Sequence, residues 1–456
     1  MDERDNAKQY EVPQQPGPVA PATPQETEEN HSGGLGRRAL LGAAGAGIAA
    51  AGIGGYALGR SGGPDVQDPV TLRYDYRGQR QSGILTPAQD YMFTAAYDLR
   101  TTSREQLIDL LGRWSVAAEQ MMAGDLVGGE PLANRQAPPV DTGEAWGYPP
   151  SGLTITFGFG GTLFQTTDGQ DRFGIADKMP QVLKDGTPRF ANEALRPEEC
   201  DGDLLIQACS NDAQVAMHAV RNMTRIAFGT ARLRWSQMGY GRTSSTTVQQ
   251  ETPRNLFGFK DGTNNLKVEA GDETLNKHLW VAEGDDPAAD WLAGGTYYAA
   301  RKIRMLLEIW DRLRLVEQEE VIGRDKRHGA PLNVPSPHSK DEFHPVGLEE
   351  MDEEGSPVIP MDAHVRLVSP SANNGSTMLR RGYNYTNGND SLGRINAGLF
   401  FIAFVRDPRK DFFPVLRRMT NEDALTEYIQ HHASALFAIP PGMGTADTFV
   451  GQKLFS

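Results

Sequence analysis

At 456 residues, 39% of them hydrophobic and 23% charged, the chain has the composition of a soluble globular protein, with room for two domains of about 100–200 residues each plus tails. A formal net charge of −14 argues against nucleic acid as the main partner, because neutralising phosphates needs a basic face. The two cysteines, Cys200 and Cys209, are too few for a disulfide scaffold and lack CxxC spacing; they read as a buried thiol and a loop thiol rather than a metal site, with one pairing after export left open.

Residues 1–35 are polar and carry Pro13, Pro16, Pro18, Pro21 and Pro24, too little apolar surface to repay ordering. Gly36-Arg37-Arg38-Ala39-Leu40-Leu41 then leads into a run to Gly59 of almost only Ala, Gly, Ile, Leu and Tyr, uncharged between Arg38 and Arg60. The run is long enough to span a bilayer, but Gly and Ala make it weakly apolar. A twin arginine before such a run resembles a Tat export signal; an uncleaved anchor helix and an Ala/Gly linker are the other readings. The expectation is therefore export by the Tat route, to an extracellular or cell-envelope location, with the Tat translocase as a transient partner. No A-x-A sequence marks a cleavage site. Because Tat carries folded proteins, usually those loaded with a cofactor beforehand, the signal also hints at a bound cofactor. Residues 1–62 are set apart from the fold.

From Pro69 the composition becomes globular. Residues 91–99 predict a strand with Phe93, Ala95 and Tyr97 on one face. Thr101-Thr102-Ser103 caps a helix to about Met122, with Leu107, Leu110, Leu111 and Trp114 on one side. A Gly/Pro-rich loop over 124–152 precedes strands at 153–159 and 204–209; Asn211-Asp212 caps a helix through about Met223; a strand over 230–239 closes the half. The second half predicts strands at 295–306, 363–368, 378–385 and 398–405, helices at 309–322 and 423–431, and a long polar connection over 323–361. The order β-α-β, β-α-β predicts an α+β protein of two ferredoxin-like domains, 68–240 and 241–450, each an antiparallel sheet flanked by helices.

Chemistry concentrates in the second half. Gly258-Phe259-Lys260-Asp261-Gly262-Thr263-Asn264-Asn265 sets one carboxylate between glycines, in a segment too rich in turn residues to continue as helix or strand. A surface turn is its plain reading. The histidines, His31, His218, His278, His328, His338, His344, His364, His431 and His432, show no zinc spacing, although a haem needs only one of them. His364 stands out in the apolar segment Asp362-Ala363-His364-Val365-Arg366-Leu367-Val368, ahead of Ser369-Pro370. In Met378-Leu379-Arg380-Arg381-Gly382-Tyr383, strand alternation sends Arg380 and Arg381 to opposite faces, so one points inward and needs an anionic partner. Gly398-Leu399-Phe400-Phe401-Ile402-Ala403-Phe404 is an apolar strand fit for core or for the wall of a flat cofactor.

The octamer at 258–265, Gly295-Thr296-Tyr297, the stretch 304–311 with Glu308-Ile309-Trp310-Asp311, Ile322-Gly323-Arg324, Gly329-Ala330-Pro331-Leu332, the His364 segment and Leu379-Arg380-Arg381-Gly382-Tyr383 together resemble the dye-decolourising peroxidase family, in its Tat-exported branch that includes deferrochelatase-type proteins. The resemblance implies one haem b per chain, mainly in the second domain, with His364 as axial iron ligand, Asp261 as distal acid–base group and Arg380 as distal cation. It further implies that Gly262, Thr263, Asn264, Ser369, Pro370, Ser371 and Phe401 line the haem. Related proteins often carry Arg where Ser371 stands, so Arg366 is a substitute partner for a propionate. An acid in the late C-terminal helix is expected on the axial histidine: Asp423, or its neighbour Glu422. The implied activity is reduction of hydrogen peroxide with one-electron oxidation of dyes, phenolics or other small reductants, through a surface Trp or Tyr. An Asp base, ordinarily of pKa about 3.9, favours an acidic optimum. Deferrochelatase activity, removing iron and leaving the porphyrin intact, and haem binding without turnover are the alternatives. A homo-oligomer is left open.

Overall fold

The computed structural model describes residues 70–129, 135–191, 193–334 and 341–456; the signal-like segment and the tail before it lie outside them. Nine strands of the described residues form one sheet: β1 (Tyr91–Leu99), β2 (Thr154–Gly160), β3 (Leu204–Ser210), β4 (Ala231–Arg242), β5 (Thr296–Met305), β6 (Leu379–Arg380), β7 (Tyr383–Asn389), β8 (Ile395–Val405) and β9 (Ile429–Ile439). The order is β5-β9-β2-β3-β1-β4-β7-β8, and β8 pairs back onto β5, so the sheet closes into an antiparallel barrel, with β6 beside β8. The first half contributes β2-β3-β1-β4 and the second β9-β5-β8-β7; β4–β7 and β2–β9 are the seams.

Strand side chains alternate between two faces. One set meets inside the closed sheet: Met92 and Ala96 of β1, Leu205 of β3, Tyr298 of β5, Tyr383 of β7, Phe400, Ile402 and Phe404 of β8, and Phe437 of β9. The other set packs outward. Ala95 and Tyr97 lie under the predicted stripe Leu107, Leu110, Leu111 and Trp114 of α1 (Arg104–Ala123), and α2 (Ala213–Ile226) lies alongside. Both helices start where capping chemistry puts them: Ser103 accepts from Gln106 N–H, and Asp212 from the N–H groups of Gln214 and Val215. Outside the second half lie α3 (Leu307–Trp310), α4 (Leu315–Ile322), α5 (His364–Leu367) and α6 (Phe413–Glu422).

Four expectations change. The helix predicted over 309–322 breaks between α3 and α4: Trp310 is buried and stacked on Phe257 at 4.3 Å, and Gln318 donates to the carbonyls of Trp310 and Leu313 that the break frees. The strand predicted at 363–368 is one helical turn, α5; short apolar runs do not distinguish the two by period. The strand at 378–385 splits at Arg381-Gly382 into β6 and β7. The helix at 423–431 is a 3-10 turn, Ala424–Glu427, capped by Asp423, after which the chain enters β9.

Closure brings β8 against β5 closely enough to exclude side chains at one point. A Cβ on Gly398 would stand 2.0 Å from the carbonyl oxygen of Ile303. Gly398→Ala is expected to force the two strands apart and to lower stability by about 1–3 kcal/mol, measured as a lower urea midpoint with an unchanged slope.

Candidate active site

The acid loop is built by its own backbone. Asn255 N–H donates to Phe259 O and Asp261 N–H to Pro253 O, closing a narrow turn around Gly258, whose φ is 83°. Gly262 has φ 80°, and a Cβ there would lie 2.7 Å from the Cα of Ser244, so no other residue lets the loop sit this close to the 243–245 segment. The result presents the Asp261 carboxylate with each oxygen held: Oδ1 by Arg380 Nη1 at 3.2 Å, Oδ2 by Asn255 Nδ2 at 3.2 Å.

Arg380 reaches it because of Asn265. The Asn265 amide accepts from Arg380 N–H at 2.7 Å and donates to Arg380 O at 2.9 Å, mimicking a strand partner for β6, and donates also to Ser245 O. Alternation then splits the arginine pair as expected. Arg380 shares the face of Ala403, its ladder partner, while Arg381 enters the barrel and is fully buried. The buried guanidinium does not need an anion after all: the carbonyls of Ile84, Thr86 and Pro87 and the amide oxygen of Gln89 accept its protons. The carboxylate goes to Arg380 instead, and the Arg380 and Asp261 side chains keep 23% and 19% exposure.

His364 opens α5. Its Nδ1 lies 2.7 Å from Asp423 Oδ2, and since a carboxylate only accepts, Nδ1 carries the proton and Nε2 the lone pair. Asp423 is fully buried while the imidazole stays 26% exposed, and Nε2 has no hydrogen-bond partner among the described residues. Burial pushes the His364 pKa down, but the charge and hydrogen bond of Asp423 outweigh it and the net shift is upward; Asp261 adds to the rise and Arg380 opposes it. The acid–guanidinium pair is therefore within electrostatic reach of the imidazole. Other histidines also meet carboxylates, namely His218 with Asp141, His278 with Asp411 and His328 with Asp325. Only His364 among these four combines a fully buried carboxylate with a part-exposed ring within electrostatic reach of a second acid and a cation.

Of the other residues expected here, Gly262 and Thr263 belong to the loop, with the Thr263 hydroxyl donating to Glu342. Asn264 is exposed and outside the network; Asn265 does the bonding. Ser369, Pro370 and Ser371 form the turn after α5, with Ser369 and Ser371 hydroxyls 3.1 Å apart. Phe401 shares the Ala403 face of β8 and stacks on Phe412 at 6.1 Å. Arg366 is unsuited to a propionate: it is buried and donates to the carbonyls of Leu348, Ile359 and Pro360. Glu422 is exposed at the end of α6, and the acid at the imidazole is Asp423. Asn255, Asn265 and Glu342 went unassigned in the sequence, because their partners lie in other segments. Cys200 and Cys209 are free thiols, and no cluster of three metal-ligating residues occurs among the described residues.

Two stretches match family descriptions: residues 81–241 match "Dyp-type peroxidase, N-terminal" and 252–444 match "Dyp-type peroxidase, C-terminal". A deferrochelatase of Yersinia pseudotuberculosis is 35% identical over 401 residues, covering 86% of this chain and 87% of the relative. A deferrochelatase of Escherichia coli K12 is 35% identical over 398 residues, covering 85% and 90%. Among solved structures, ferric DtpA from Streptomyces lividans superposes with TM-score 0.77 at 37% identity, covering 86% of this chain and 100% of that one. A DyP-type peroxidase from Cellulomonas bogoriensis gives 0.73 at 34% identity, covering 85% and 99%.

The Asp423 carboxylate is the dominant influence raising the His364 pKa, so its loss has a signed consequence. In the chain without added ligand, His364 should titrate above the ordinary value of about 6.5, and in Asp423→Asn below it, followed by NMR of the ring protons. Folding raises this pKa, so the pair's contribution to stability is fully present below about pH 6.5 and is lost as pH climbs through the folded value; Asp423→Asn should remove that dependence.

Proposed function

The chain belongs to the Dyp-type peroxidase family, and from that premise we propose that His364 holds the family's haem, with Asp261 and Arg380 working on peroxide at the opposite face. The protein is a haem-dependent peroxidase, an oxidoreductase that reduces peroxide and oxidises small reductants. The observation that carries the residue assignment is the set of three side chains coupled to one another: an imidazole with Nδ1 tied and Nε2 unpartnered, and an acid–guanidinium pair whose charges reach it. These residues fit a flat iron macrocycle. One imidazole with an unpartnered Nε2 would supply the single iron ligand, and the Asp261–Arg380 pair is within electrostatic reach of it. The strand orders β2-β3-β1-β4 and β9-β5-β8-β7 support reading each half as a ferredoxin-like unit, with the haem site in the second.

A haem held by His364 would supply the redox chemistry that couples peroxide reduction to one-electron oxidation of the reductant. Asp261 does the proton work. Its carboxylate accepts the proton from one peroxide oxygen and returns it to the other as the O–O bond breaks, so that water leaves. Asn255 and Arg380 each hold one carboxylate oxygen, which fixes the direction in which that proton moves. Arg380 also stabilises the negative charge that grows on the departing oxygen. On the other side, Asp423 fixes the ring orientation and makes the imidazole a more basic ligand.

The names of the relatives from Yersinia pseudotuberculosis and Escherichia coli support a second reading, in which this pocket releases iron from haem. The twin arginine at Arg37-Arg38 supports Tat export to the cell envelope or beyond.

Visible spectra and stopped-flow kinetics test the assignment. His364→Ala should lose the Soret band of the bound haem. Asp261→Ala should keep it and lose peroxide-dependent dye oxidation by about 10²–10⁴-fold, and Arg380→Leu by about 10²–10³-fold. An unchanged Soret band in His364→Ala would reject the ligand, and undiminished turnover in Asp261→Ala would reject the base. Free protoporphyrin accumulating in the absence of peroxide would establish the second reading.

A further inference from the structure

Two of the stretches singled out in the sequence, 322–324 and 329–332, have no task in the chemistry above. They form a strap beside the acid loop. Arg324 and Pro331 form an isolated antiparallel bridge, with Asp325 N–H donating to Ala330 O and Gly329 N–H to Asp325 O. The buried Arg324 guanidinium uses Nη1 twice, on Gly329 O at 2.7 Å and on Glu342 O at 2.9 Å, so it draws Glu342 onto the strap. From the other side, Arg254 of the acid loop donates to the carbonyls of Lys326 and Arg327 and to Gly258 O. The two segments are bound along their length.

Glu342 is where the strap touches the chemistry. It is 8% exposed, and its two oxygens are divided between the residues that bracket Asp261. Oε1 accepts from Lys260 Nζ at 2.5 Å, and Oε2 accepts from the Thr263 hydroxyl at 3.1 Å. Gly329 makes the approach feasible: its φ is 78°, and a Cβ there would be 2.9 Å from Lys260 Cδ and 3.3 Å from Glu342 Cβ. The Arg324 guanidinium feels both Glu342 and Arg380; burial lowers its pKa to about 10, the Glu342 charge raising it and that of Arg380 lowering it further. The strap therefore lies alongside the same acid–guanidinium pair.

The loop has glycines at 258 and 262, both at positive φ, on either side of Asp261. Asn255 and Arg380 hold the carboxylate itself, but neither holds the backbone on both sides of it. We propose that Glu342 is a positioning residue for Asp261: by gripping Lys260 and Thr263 with one carboxylate it sets where the Asp261 carboxylate stands. The inference rests on the reading of Asp261 as the acid–base group. It assigns Glu342 to the peroxide step and not to haem affinity or reductant binding, and it gives the two stretches their purpose, which is to hold Glu342 in place.

The full-length chain serves for the test, with and without haem. In the loaded protein, Glu342→Ala should leave haem stoichiometry and the KM for a dye unchanged and slow the reaction with peroxide by about 10–100-fold, the range for losing a group that orients a reactive one. Glu342→Gln keeps the shape and one acceptor and should recover most of the rate. In the Lys260→Met/Thr263→Val background, Glu342→Ala should cost nothing further, because the residues through which it acts are gone. In the haem-free protein, hydrogen exchange over 258–265 should be faster in Glu342→Ala and unchanged in the barrel strands. A peroxide rate within about 2-fold of wild type, exchange over 258–265 unchanged, or a full additional loss in the double-variant background would each overturn the inference. Asp261→Ala run in parallel separates the two levels. If it also keeps the rate, both readings fall; if it loses the rate while Glu342→Ala does not, only Glu342 is misassigned.

Discussion

The site depends on one amide. Asp261 and Arg380 are 119 residues apart in sequence and meet at 3.2 Å, and what brings them together is the Asn265 side chain acting as a strand partner to the Arg380 backbone. Because that pairing fixes β6 in register against β8, it decides which of two adjacent arginines faces the acid and which enters the barrel. A slip of one residue would exchange them. Both faces are already specified by what lies there: neutral carbonyl oxygens inside, a carboxylate outside. The two Nη groups of the inner arginine are taken by neutral oxygens without a charge partner.

The barrel supplies the rigidity behind that register. Because β8 closes onto β5, and β9 lies between β5 and β2, the strands carrying Phe401 and the Arg380 partner belong to a sheet with no free edge at that point. Functional groups then sit on short segments outside it: the acid loop, the single turn of α5 and the cap at Asp423. Each is tied by side-chain to backbone bonds more than by regular structure. Those bonds reach across long stretches of chain, and this is where the sequence becomes hard to read.

The first half was legible. Strand β1 starts and ends where alternation places it, and both α1 and α2 begin at the capping residues named from composition alone. These features are set by neighbours within a few residues. In the second half the resemblance singled out Asp261, Arg380 and His364, and local pattern misread their setting. The run at 363–368 has too few residues to show a period, and a strand would have placed His364 and Arg366 on one face. The helical turn sends Arg366 into the carbonyls of Leu348 and Ile359 and leaves His364 at the open side. Strand β9 was not foreseen, because His431-His432-Ala433-Ser434-Ala435-Leu436 lacks the β-branched residues that mark strands; pairing on both sides with β5 and β2 makes it one. Asn265 and Glu342 gave no local signal, since nothing near an Asn in a turn or a Glu in a polar connection points to a partner 115 or 79 residues away.

The proximal side bears on which of the two proposed activities this pocket is built for. Releasing iron from haem requires the axial bond to weaken as the metal leaves. An imidazole whose Nδ1–H is given to a fully buried carboxylate is instead made more basic at Nε2, and a more basic ligand holds oxidised iron more firmly. The Asp423 carboxylate is also tied by the N–H of Leu425, so it is not free to swing away and relax that pull. On the distal side, an acid with each oxygen hydrogen-bonded and a guanidinium at its edge is organised for moving a proton between two adjacent oxygens. Within the proposed assignment, the Asp423–His364 bond, at 2.7 Å, weighs on the side of peroxide chemistry.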